Sequence, residues 1–172
     1  MSDKDAIDIE SKLVNVAEKH SGQKVPDFNN SNPVSFQFGY SSWHHVRSFA
    51  AYSDYPFKKF LGLGKHPYEK PLKPEMSPAV VESEESRKTS YPQLLLSNDN
   101  KGFFFPIKLK VPVQTQWGYI GSSIELLDEV NRIQALLSKG EYWHADIDDF
   151  ISKFQLACQK SMESNLPIVI DG

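Results

Sequence analysis

Two hydrophobic periods meet inside one stretch, Ser97–Leu127, and no other feature of the sequence constrains the fold as strongly. Ile107, Leu109, Val111 and Val113 alternate with Lys108, Lys110 and Pro112. That is the period of a strand with one face buried and one in water. Directly after it, Ile124, Leu126, Leu127, Val130, Ile133, Leu136 and Leu137 recur at three- and four-residue spacings, the period of a helix with one apolar stripe. A chain that switches period over so short a distance is expected to be α+β. The expected architecture is a single domain over residues 1–172, with a small, mostly antiparallel sheet and about three main helices packed mainly on one face.

Local chemistry divides this stretch. Asp99-Asn100-Lys101-Gly102 is a turn by composition, with Leu94-Leu95-Leu96 before it and Phe103-Phe104-Phe105 after it, which predicts a hairpin. Pro106 and Pro112 cannot donate to a ladder, so the second strand is expected at an edge or interrupted by bulges. Trp117-Gly118-Tyr119-Ile120-Gly121 reads as a second turn. Ser122 and Glu125 then fit a capping box, and Gly140, preceded by Lys139, is the expected end of the helix.

The run from Leu94 through Ser97, Asp99, Gly102 and Phe103–Pro106, followed by Pro112-Val113 and by Gly121-Ser122-Ser123 with Leu126–Val130, resembles a loose group of small uncharacterised bacterial proteins. Phe38–Arg47 is similar to an earlier element of the same group, built as Ser-Tyr, an aromatic and a Leu or Val before Arg. The resemblance covers about half the chain. It departs from the group's pattern at Leu96, where a His is expected, and at the additional Asn98. It implies a bacterial cytosolic protein without a known enzyme activity, of a kind that includes immunity-like proteins.

Composition narrows the function classes. A net charge of −3 argues against a nucleic-acid binder, which needs a basic face. The single cysteine, Cys158, forbids an intramolecular disulfide and suits a reducing cytoplasm. The acidic start MSDKDAIDIE has no apolar core of a signal peptide, and no apolar run reaches the ~18 residues of a membrane span.

In chain order, residues 4–20 are expected to be helical and Val34–Tyr40 a strand. Ser41 or Ser42 is expected to open a helix reaching Tyr52 with Trp43, Val46, Phe49 and Ala50 inward. Residues 54–92 form a Pro-rich irregular excursion with a short helix expected at Phe57–Leu61 and a charged run at 82–88. The last helix is expected to reach Ser164, with Leu166–Ile170 as a closing strand.

No catalytic residue and no cofactor is assigned. His144 with Asp146, Asp148 and Asp149 offers metal ligands, but acids in a first helical turn are expected for the dipole alone, and no metal site is assigned. Cys158 sits on an apolar stripe, the setting of an inert buried thiol. Two surfaces are candidates. Gly121, Ser122 and Ser123 at a helix start, with Arg47 nearby, could hold a small anion. Trp43, Trp117, Tyr119, Tyr142 and Trp143 could anchor a partner. The expected function is non-catalytic: a cytoplasmic, immunity-like protein that binds another protein or itself, with no nucleic-acid or membrane partner. The alternative is a small-anion or metabolite binder, or an enzyme, with its site at the Gly121–Ser123 helix start.

Overall fold

The computed structural model describes residues 3–27, 40–54, 78–97, 101–138 and 145–171. Six helices and four strands follow in the order α1 (Asp3–Ser21), α2 (Tyr40–Asp54), α3 (Pro78–Ser86), α4 (Pro92–Leu95), β1 (Lys101–Phe105), β2 (Val113–Thr115), β3 (Gly118–Ser122), α5 (Ser123–Leu137), α6 (Ala145–Ser164) and β4 (Ile168–Asp171). The fold is α+β, as the two periods require. The expected strand at Val34–Tyr40, the helix at Phe57–Leu61 and the helix stop at Gly140 lie outside the described residues, apart from Tyr40, which begins α2.

The sheet order is β2-β3-β1-β4. β2 and β3 pair antiparallel, as do β1 and β4, while β1 and β3 pair parallel with Phe104 opposite Gly121. After β1 the chain crosses to the far edge, forms β2 and returns as β3. One face packs Phe104, Ile168 and Ile170 into a core with Trp43, Val46, Leu126, Ile133, Phe150 and Phe154, drawn from α2, α5 and α6. The other face, with Phe105 and Ile120, is covered by Leu13 and Ala17 of α1 together with Ile107 and Leu109. Among the described residues, helices therefore gather mainly on one face, with α1 on the opposite side.

Three expectations give way to long-range contacts. Leu94-Leu95 is helix α4, not the first strand of a hairpin. An apolar run of three fits either state, and Pro92 at the first helical position favours the helix. The orphan N–H groups of Gln93 and Leu94 are then accepted by the Glu129 carboxylate at 2.8 and 2.9 Å. The strand expected through Val113 stops at Phe105, and 106–112 runs as irregular chain between the two prolines. Its alternation survives nonetheless, with Ile107 and Leu109 buried and Lys108 and Lys110 in water. The residues read as a second turn, Gly118–Gly121, belong to β3, a central strand. Gly118 has φ 126°, and a Cβ there would meet the Lys101 carbonyl oxygen at 2.8 Å.

α5 starts as expected. Ser122 is the N-cap, and its hydroxyl accepts from the Glu125 amide at 3.0 Å. The reciprocal half of the capping box is replaced, because the Ser122 amide donates to Gln93 Oε1 at 2.9 Å. α6 buries Ile147, Phe150, Ile151, Phe154 and Cys158, which recur at the three- and four-residue spacings of one helical face, with Ala157 and Met162 half-buried beside them.

Candidate interaction surface

The proposed anion residues are held inside the protein. Arg47 on α2 is 1% exposed. Its guanidinium donates to the Leu94 and Leu95 carbonyls at 2.9 and 3.3 Å and to Glu84 of α3 at 2.8 Å. Gly121 lies against the Phe104 ring. The Ser122 hydroxyl also donates to the Ile107 carbonyl, and the Ser123 hydroxyl accepts from Ser161 at 2.9 Å. Gly121, Ser122 and Ser123 thus stand together at the β3–α5 junction, while Arg47 serves α3 and α4.

Around α4 these bonds form a polar clasp. Gln93, fully buried, donates to the Leu109 and Lys110 carbonyls and accepts from Ser122. Burial pushes the Glu129 carboxyl up to about 8, against the opposing pull of the Gln93 and Leu94 amides and of Arg132. Arg132 caps the arrangement from outside, donating to the Ser90 carbonyl at 2.8 Å with its guanidinium over the Tyr91 ring.

Of the aromatic candidates, Trp43 is a core residue, stacked on Phe154 and tilted against Phe150. Trp117 and Tyr119 are half-buried on and beside β3, and Tyr142 and Trp143 lie outside the described residues. Burial also pushes the Cys158 thiol up to about 12, which keeps it protonated. Among the described residues no group of three or more His, Cys, Asp and Glu could hold a metal, and no helix is long and apolar enough to cross a membrane.

Acids recur at one-turn spacing along four of the helices. Asp5 and Asp8 on α1, Glu82 and Glu85 on α3, Glu125 and Asp128 on α5, and Asp146 and Asp149 on α6 are each three positions apart, one helical turn. Such positions hold their Cβ atoms about 5–6 Å apart on one side of a helix. In α1, α5 and α6 the second acid also meets a cation four residues on: Asp8 with Lys12 at 2.5 Å, Asp128 with Arg132 at 3.0 Å, Asp149 with Lys153 at 2.6 Å. α3 carries no Lys or Arg of its own; position 89, four beyond Glu85, is Thr89, whose hydroxyl donates to Asp54. The charge is also segregated along the chain. Residues 55–77 hold five lysines against two glutamates, so the net −3 of the whole leaves the remainder six charges negative.

Residues 8–170 match the model of a family described as "Putative DNA-mimic protein". The chain belongs to this family. No curated protein and no solved structure matches it. Membership in a DNA-mimic family describes a protein that works by binding another protein. It also corrects the exclusion of any nucleic-acid involvement, since a mimic of DNA takes its partners from proteins that bind DNA. A net charge of −3 does argue against a basic face that grips DNA. The same acidic balance is what a surface needs in order to take DNA's place, and the charge argument considered only the first case.

Proposed function

We propose that the protein binds a DNA-binding protein at the surface which that protein uses for DNA, with helix-borne carboxylates standing where phosphates would be. The observation that carries this reading is the family match over residues 8–170. The one-turn carboxylate pairs supply the chemistry. DNA presents one negative charge per about 3.4 Å of rise on each strand, and a DNA-binding site meets it with Arg and Lys. Carboxylates fixed one helical turn apart offer such a site repeated, rigidly placed acceptors of the same sign. The cations that pair with Asp8, Asp128 and Asp149 do not block this, because exposed pairs of that kind are worth only about 0–1 kcal/mol and yield to a better-placed guanidinium. α3 offers Glu82 and Glu85 one turn apart on an exposed face.

The finer setting is a bacterial cytosol, with an inhibitory, immunity-like role. A lone buried thiol suits a reducing compartment, and the resemblance of 94–130 to small bacterial proteins points the same way.

The test is capture from host extract on the immobilised protein, followed by a wash with excess duplex DNA. The expected result is one protein with DNA-binding activity that the duplex releases. A captured protein that stays on the support in saturating duplex, or that has no affinity for DNA, would refute the reading.

A further inference from the structure

A basic cleft opens among the described residues of this acidic chain. It lies between the end of α1, the turn after α3 and the irregular segment 107–114, with a volume of about 730 Å³ and an open mouth. His20, Arg87, Lys108 and Lys110 line it against a single acid, Glu125. All four basic side chains are exposed. Among the described residues, none of Arg87, Lys108 and Lys110 is in an ion pair, whereas Lys12, Arg132 and Lys153 each pair with the acid one turn back.

Two features separate this cleft from a chance gathering of surface lysines. The first is the support under Lys108 and Lys110. Their segment has no secondary structure, yet side chains from three elements fix it: Gln93 of α4 donates to the Leu109 and Lys110 carbonyls, Ser122 donates to the Ile107 carbonyl, and Gln23 accepts from the Lys108 amide at 2.8 Å. The two lysines, two residues apart, are therefore presented side by side from a fixed floor, a condition that lowers the cost of binding. The second is Arg87. It follows α3 with φ 54°, a left-handed conformation that favours glycine and that costs any other residue strain. The chain keeps a long cationic side chain at that position and turns it into the cleft.

The floor is apolar, with Leu109 and Pro112 buried and Val111 44% exposed. Cations above an apolar floor select a ligand with several negative charges and a less polar body. The volume lies within the roughly 300–1,000 Å³ of small-molecule sites. A long polyanion is disfavoured, because beyond about one Debye length of ~8 Å it would meet the carboxylates of the surrounding helices. A molecule that fits inside the cleft meets His20, Arg87, Lys108 and Lys110 against one carboxylate, Glu125.

We propose that this cleft binds a small phosphorylated molecule of nucleotide size, with its phosphates on Lys108, Lys110 and Arg87 and its organic part over Val111. This site is separate from the DNA-mimic reading and stands if that reading fails.

Titration calorimetry with adenosine 5′-diphosphate and with inorganic pyrophosphate tests it. Both probes are expected to bind saturably, and the double variant Lys108→Ala/Lys110→Ala to weaken each by at least about tenfold, the effect of losing one or two charge-assisted contacts. Arg87→Gly separates binding from folding. Glycine relieves the φ 54° strain, so this variant is expected to melt at the same or a higher temperature while binding both probes more weakly. Absence of saturable heat with either probe at about 5 mM, a concentration that reveals even millimolar affinity, would overturn the proposal. So would unchanged affinity in Lys108→Ala/Lys110→Ala or in Arg87→Gly, or a short duplex DNA that binds more tightly than the nucleotide.

Discussion

Gly121→Ala should be among the most damaging single-methyl additions this fold can receive. A Cβ at residue 121 would stand 2.5 and 2.6 Å from two ring carbons of Phe104 and 2.7 Å from Gln93 Oε1. Neither neighbour can step aside easily. Phe104 is 1% exposed, opposite Gly121 in the β1–β3 ladder, and its ring also lies 3.1 Å from where a Cβ on Gly102 would be. Gln93 is fully buried, and the threatened oxygen accepts from the Ser122 amide at the start of α5. Overpacking in a filled core costs about 1–3 kcal/mol. Leaving the Ser122 amide unsatisfied in the interior adds roughly 1–3 kcal/mol. The sum is about 2–6 kcal/mol, and for a chain of this length each kcal/mol lowers the melting temperature by about 2–4 °C. A drop of at least about 4 °C is therefore expected in a thermal melt followed by far-UV circular dichroism. A melting temperature within about 2 °C of the parent, less than 1 kcal/mol by the same conversion, would refute the packing of β1 against β3.

Three further outcomes follow from the same core. Ser122→Ala removes the α5 cap and the bond to the Ile107 carbonyl, and should lower stability in urea titration by about 1–2 kcal/mol. Arg47→Met removes the ion pair to Glu84 and leaves the buried Leu94 and Leu95 carbonyls without that donor, and a loss of about 3–5 kcal/mol is expected, far above that of any surface arginine. Glu129 makes stability depend on pH. Its folded value near 8 lies above the ordinary carboxylate value of 4.5, so the folded state holds a proton that the unfolded chain releases. Its contribution is complete below pH 4.5 and is lost as pH rises through about 8, and Glu129→Gln should flatten the decline between those limits when unfolding midpoints are compared across buffers.

What could be read from the sequence was local. The α5 start at Ser122, the stripe Ile147–Cys158 of α6 and the outward Lys108 and Lys110 are each fixed by residues within a few positions of one another. What escaped depends on partners far along the chain. Leu94-Leu95 becomes a helical turn because Glu129, thirty-five residues away, accepts the Leu94 amide. Gly118 and Gly121 look like turn glycines until Lys101 and Phe104 are seen to press on them. Arg47 reads as a free cation because nothing near it in sequence shows that Glu84 and two carbonyls of α4 surround it. The acidic surface proposed for partner binding escaped for a different reason. Net charge is a sum, and here it blends a lysine-rich segment at 55–77 with helices whose acids recur one turn apart.

The DNA-mimic claim stands or falls on mutual exclusion. A fluorescein-labelled duplex is bound to the captured partner, and this protein is titrated in while anisotropy is followed. The account predicts a fall to the value of free duplex, with a weaker effect from the neutralised pair Glu82→Gln/Glu85→Gln. A rise in anisotropy would mean that partner, duplex and protein sit together in one complex, and it would contradict the claim.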